Sequence, residues 1–245
     1  MSAATDSAGP LLAIDTATEV CSVALVHGAN RALRREHVGQ SHSQHVLGMV
    51  DAVLTETGIE LGQCSAVAFG AGPGSFTGLR IACGVAQGLA WGVGRRVVPV
   101  GNLEALAEAA RRQQPALDHV AVAIDARMHE AYWAVYRWRD GRWQAEVPPS
   151  LAPAAELAAL LRARGAPVLC GNALEAFSQH LSEVPVQQRR HGLTADAGVI
   201  ADLAVRAVAR GETLPPEAAL PLYVRDKVAL TVAERAAARA AEAAT

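Results

Sequence analysis

Two aspartates, a glycine-rich run and a histidine pair are the residues whose types and spacing could do chemistry. Asp15 and Asp125 each close an apolar run. A carboxylate at the end of a buried strand can hold a metal or orient a phosphate. Two of them facing each other across a cleft would suit a metal–nucleotide site. Each can equally accept backbone N–H groups of its own turn. Gly70, Gly72, Pro73 and Gly74 precede Ser75 and a helical pattern from Phe76. A loop of this kind can cradle phosphate at a helix N-terminus. No Gly-Lys-Ser/Thr follows, so it is not a Walker A loop. Ser75 lacks the G-x-S-x-G setting and an assignable histidine base, and reads as a helix N-cap. His42 and His45 are three residues apart with no third ligand nearby, a pattern more common at surfaces and interfaces than at metal sites. Glu130, Tyr132 and Trp133 follow Asp125, and strand alternation puts the two aromatics on opposite faces.

The elements that must position these residues follow from periodicity. Residues 11–17, 20–26 and 31–38 read as three strands of an antiparallel meander, with Asp15-Thr16 at the end of the first. Val46, Leu47, Val50, Val53, Leu54 and Thr57 recur at helical spacing, and Gly58 ends that helix. A strand at 66–69 enters the glycine loop, and the helix from Phe76 carries small residues at four-residue spacing: Gly78, Ala82, Ala86 and Ala90, with Gly84 and Gly88 beside them. Three glycines inside a helix weaken it by about 1 kcal/mol each relative to alanine. A second backbone lying close to the helix, within the fold or from a partner, is the plainest reason for them. A strand at 97–100 and a helix near 103–113 follow.

The pattern then returns. "AVAIDARMHEAYWAVY" echoes "LLAIDTATEVCSVALV", with Asp125 in the place of Asp15. A third strand follows at 142–147, after the Asp140-Gly141 turn. Helices near 154–163, 174–181 and 195–210 and a strand at 167–170 complete a second lobe. The predicted organisation is α/β. Residues 1–9 read as a disordered start, 10–103 as the first lobe, 104–218 as the second, and 219–245 as a segment and alanine-rich helix returning to the first lobe.

The composition narrows the function. The 245 residues are 51% hydrophobic and carry a net charge of −2, so a large core is within reach and binding of nucleic acid through bulk charge is not expected. The arginine doublets at 34–35, 95–96, 111–112 and 189–190 are scattered and read as solvated pairs. Cys21, Cys64, Cys83 and Cys170 form no C-x-x-C pair, which suits a reducing cytoplasm. The N-terminus lacks the basic start and apolar core of a signal peptide. No stretch reads as membrane-spanning.

"LLAIDTATEVCSVAL", "HSQHVLGMVDAVL", "GAGPGSFTGLRIACGVAQGLA", "AIDARMHEAYWAVY" and "PLYVRDKVA" together resemble the bacterial TsaB (YeaZ) family of tRNA threonylcarbamoyladenosine biosynthesis proteins. The resemblance is dense from 11 to 103 and around 123–136, recovers at 221–229, and is weak over 140–215. It implies two tandem ribonuclease H-like lobes of the actin-like ATPase superfamily, with mixed sheets flanked by helices. It implies a non-catalytic scaffold and activator of the paralogous TsaD-type transferase, which modifies the adenine beside the tRNA anticodon. A TsaE-type ATPase joins the assembly, and the chain alone pairs with itself. ATP or ADP and metal then belong to the partner subunits, and none is required here. Pairing through the two helices after the third strand would make His45, Leu47, Val50, Leu54, Phe76, Leu79, Ala82, Cys83 and Ala86 interface positions. An arginine at Ala82 would then abolish pairing.

The sequence departs from its catalytic relatives at two places. The TsaD paralogue carries His-x-x-x-His, one helical turn apart, where this chain has Asn102 and Leu106. Nucleotide-binding relatives have glycine in the first phosphate loop, where this chain has Ala17. Asp15, Thr16 and Asp125 are the candidate cofactor-binding positions on this reading, either working or vestigial. An ATPase using Asp15 and Asp125, a ribonuclease H-like nuclease and a peptidase are the competing classes. Each needs ligands or carboxylates that the motifs do not supply.

Overall fold

The computed structural model describes residues 9–225. Leu11–Asp15 (β1), Val20–His27 (β2) and Asn30–His37 (β3) form the meander, and His42–Thr57 (α1) follows. Ala66–Gly72 (β4), Phe76–Gly92 (α2) and Arg96–Gly101 (β5) complete the first sheet, in the order β3-β2-β1-β4-β5. The strands β1 and β2 pair antiparallel, as do β2 and β3, whereas β4 and β5 run parallel to β1. Asn102–Gln113 (α3) leads to the second sheet. Its strands are His119–Asp125 (β6), Glu130–Arg139 (β7), Arg142–Pro153 (β8), Val168–Cys170 (β9) and Gln188–Arg190 (β10). Their order, β10-β9-β6-β7-β8, repeats the first sheet, with the same antiparallel trio and parallel pair. The sequence echo is therefore a structural repeat, and the fold is that of the actin-like ATPases.

Local chemistry sets the helix ends. Gly58 closes α1 in the left-handed region at φ 67°. The Ser75 hydroxyl caps α2 by accepting from Gly78 N–H at 3.3 Å. Ala154–Arg162 (α4), Ala173–Ala176 (α5) and Ser178–Leu181 (α6) flank the second sheet. The pair α5 and α6 replaces the single helix expected at 174–181. Asp196 caps Ala197–Ala209 (α7), accepting from Gly198 and Val199 N–H at 2.9 and 3.2 Å.

One domain boundary needs correction. The sequence reading placed α7 in the second lobe, but it packs on the first sheet across β1, β2, β4 and β5. Ser22 on β2 accepts Ala197 N–H at 2.9 Å, and Asp202 binds Arg31 on β3 at 2.5 Å. Periodicity gives a helix an apolar face but does not say which sheet that face meets. The helices α3 and α7 lie between the sheets in one continuous core, which includes Leu11, Val98, Leu103, Val120, Tyr136 and Ile200. Glu108, 1% exposed, ties this core together. It accepts from Trp143 Nε1 on β8 at 2.9 Å and from Arg206 on α7 at 2.8 Å. Arg35, Arg95 and Arg96 are exposed as expected, whereas the doublets at 111–112 and 189–190 make structural contacts. Arg111 lies 4.0 Å over the Trp138 ring, Arg112 bonds Asp202, and Arg189–Arg190 build β10, a strand the sequence reading missed. The expected C-terminal helix and nearly all of the expected disordered start lie outside the described residues.

Candidate functional site and docking face

The ends of β1 and β4 meet the start of α3 in a dense polar knot. Asp15, 3% exposed, accepts from Ala17 N–H at 3.1 Å and from Asn102 Nδ2 at 3.0 Å through one oxygen. The Asn102 Oδ1 in turn accepts Gly72 N–H at 2.7 Å. Burial pushes the Asp15 carboxyl up to about 6, against the lowering effect of these bonds. Thr16 donates its hydroxyl to Gly78 O at 2.6 Å, and Ala17 O accepts Ser75 N–H at 2.8 Å. The glycines allow this closeness. A Cβ at Gly78 would lie 1.8 Å from Thr16 O, and one at Gly70 would lie 2.4 Å from Asp15 Oδ1. The close backbone expected beside the glycine helix is thus the chain's own β1–β2 turn.

Asp125 is held differently. One carboxylate oxygen accepts Arg127 N–H at 2.7 Å, and the other lies 3.6 Å from the Arg127 guanidinium. Asn172 Oδ1 accepts the Asp125 backbone N–H at 2.8 Å. Both aspartates therefore serve their own turns. The two positions compared with the paralogue's histidines, Asn102 and Leu106, are buried. Asn102 is committed to Asp15 and Gly72, and Leu106 packs beside Gly171. Among the described residues, no group of three or more His, Cys, Asp or Glu is placed to hold a metal ion. His42 is buried, and burial pushes its ring below the usual histidine value. His45 is partly exposed, with Nδ1 3.4 Å from Glu36. The Ser75 hydroxyl is committed to its cap. All four thiols are free and buried, and burial raises each one, Cys170 to about 12.

The expected interface residues divide. Val50, Leu79, Cys83, Ala82 and Ala86 are buried, the last two completely, so they form this chain's own core. Arginine at Ala82 would therefore disrupt the fold rather than report on pairing. Leu54 and His45 are partly exposed, whereas Leu47 is 55% and Phe76 44% exposed. Four-residue spacing identified the stripe of α2 that packs on its sheet, and the outward stripe lies beside it. Gly84 and Gly88 are exposed with nothing within 4 Å of a would-be Cβ, next to partly buried Ile81, Val85 and Leu89. Gly48 on α1 is likewise open.

A family profile described as TsaD, tRNA N6-adenosine threonylcarbamoyltransferase, matches residues 33–237. The Escherichia coli tRNA threonylcarbamoyladenosine biosynthesis protein TsaB is 38% identical over 222 residues, covering 89% of this chain and 96% of that protein. The chain belongs to the TsaB family. The Haemophilus influenzae TsaB is 47% identical over 124 residues, which span 51% of this chain and 52% of that protein. A crystal structure of a Pseudomonas aeruginosa protein, described as uncharacterized with similarity to peptidase YEAZ, superposes with a TM-score of 0.80 at 39% identity. It covers 88% of this chain and 99% of that one. TsaB membership agrees with the family resemblance read from the motifs. No helix among the described residues is long and apolar enough to cross a membrane.

Proposed function

We propose that this chain is a cytoplasmic, non-catalytic partner that activates a TsaD-type transferase in forming threonylcarbamoyladenosine on tRNA. The observation that carries this reading is the polar knot where β1 and β4 meet α3. Asp15 binds Ala17 and Asn102, Asn102 binds Gly72, and Thr16 binds Gly78, through groups that a nucleotide or metal would otherwise engage. With those groups committed, the chain acts through its surface. The outward face of α1 and α2 supplies that surface, since Leu47 and the open glycines Gly48, Gly84 and Gly88 would let another helix pair approach closely. The same face would serve a homodimer of the isolated chain. The TsaE-type ATPase would join the pair with the transferase, and nucleotide and metal would be held by those partners.

A Gly84→Arg variant tests this. The added side chain enters open space and replaces a poor helix former, so the variant should fold with a melting temperature no lower than wild type. It should fail to co-purify with the TsaD-type subunit and fail to support modification. Gly84 lies about two turns along α2 from the knot. A folded variant that still supports full modification would mean that the function does not reside on this face.

A further inference from the structure

The path of the chain after residue 219 is not needed to complete either sheet, yet it is fastened at three points. Leu222 N–H donates to Ala71 O at 2.7 Å, in the glycine loop at the end of β4. Gly72 makes this approach possible. Its φ is +120°, and a Cβ there would lie 2.7 Å from Leu222 O. The Tyr223 ring lies 5.5 Å from the Phe76 ring at the start of α2, and its hydroxyl accepts from Arg80 Nε at 2.9 Å. The Arg80 guanidinium covers the Phe76 ring at 3.9 Å.

Arg225 then crosses to the other lobe. One of its nitrogens donates to Glu130 Oε2 at 2.6 Å and to Ala126 O at 3.0 Å. Its side chain is only 13% exposed. Ala126 and Glu130 flank three consecutive non-glycine residues in the left-handed region: Arg127, Met128 and His129, at φ 63°, 55° and 59°. Such residues are held only where their surroundings fix them. Arg225 grips both ends of this turn.

We propose that residues 220–225 are a latch between the lobes. The segment seats on the glycine loop and α2 in the first lobe, and Arg225 pins the β6–β7 turn of the second. It thereby spans the ends of β4 and β6 and holds the lobes at one angle. Parting the lobes at these strand ends requires Arg225 to leave Glu130.

Hydrogen–deuterium exchange on the full chain tests the latch, with the wild type compared to Arg225→Ala and Glu130→Gln. In Arg225→Ala, the Leu222 amide, residues 70–75 and the β6–β7 turn should exchange about tenfold faster, while β2 and β8 keep their wild-type rates. Glu130→Gln should produce a smaller rise in the same three segments. Faster exchange confined to Leu222, or no change at all, would make the segment a passive surface strand and overturn the proposal. If Arg225→Ala unfolds the whole chain, β2 and β8 speed up as well, and Glu130→Gln then decides. Wild-type exchange in its strap and turn would overturn the latch.

Discussion

Asp15 and Asp125 close equivalent strands of two sheets with one strand order, yet their surroundings have little in common. Asp15 is sealed between the glycine loop and α3, with Asn102 bonded to its carboxylate. Asp125 keeps its carboxylate for Arg127, because Asn172 bonds the backbone N–H instead. The difference lies in what approaches each strand end. In the first lobe, Gly70, Gly74 and Gly78 let α2 and its loop close over the β1–β2 turn. The turn of the second lobe is held instead by Arg225, by Ala154 N–H donating to His129 O at 2.8 Å, and by the Arg127 guanidinium 3.5 Å from Glu19. A repeated topology therefore does not imply a repeated site.

The largest effect should come from forcing the first turn open. Gly78→Ala places a Cβ against Thr16 O and should destabilise the chain by about 3 kcal/mol in urea denaturation. Gly88→Ala, ten residues along the same helix in open space, should instead stabilise it by up to about 1 kcal/mol. Equal effects at the two glycines would contradict the assignment of inward and outward faces.

The aspartates should separate by pH. The Asp15 carboxyl is raised from the ordinary 3.8 to about 6 in the folded chain, so between these values the folded state binds more protons than the unfolded one. Stability should fall as pH rises through that window, by about 3 kcal/mol in all, and the loss persists above it. Asp15→Asn should remove this share of the slope, leave the share carried by Glu104, whose carboxyl burial raises to about 7, and make the variant more stable than wild type at pH 8. The smallest effect should come from Asp125→Asn, which retains an acceptor for Arg127 N–H and should change stability by no more than about 0.5 kcal/mol. A slope between about pH 4 and 6 that is the same in Asp15→Asn as in wild type would show that Asp15 carries none of it.

The lobes were legible in the sequence because strands alternate and end in recognisable turns. The Asp15–Asp125 echo fixed the repeat, and the family motifs agreed with it. Less visible was everything that depends on which surfaces meet. The small-residue stripe of α2 was readable as a close-packing face, but only coordinates assign Gly78 to Thr16 and leave Gly84 and Gly88 outside. Asn102 stood out as a departure from a ligand pattern, whereas its bridge from Asp15 to Gly72 joins residues far apart in sequence. The strand β10 has only three residues, two of them arginines, so it carries no hydrophobic alternation. Arg225 falls within the family motif PLYVRDKVA, but its contact was not readable, since its partners Ala126 and Glu130 lie nearly a hundred positions earlier.

The central claim is that this chain enables threonylcarbamoylation without performing it. Reconstitution with unmodified tRNA, a TsaD-type subunit, a TsaE-type ATPase, the adenylate-forming synthase, ATP, threonine and bicarbonate tests it most directly, with this chain and the TsaD-type subunit omitted in turn. Modification should require both, and this chain without the TsaD-type subunit should yield none. Modified tRNA formed by this chain in the absence of that subunit would contradict the account and return Asp15 and Asp125 to a catalytic role.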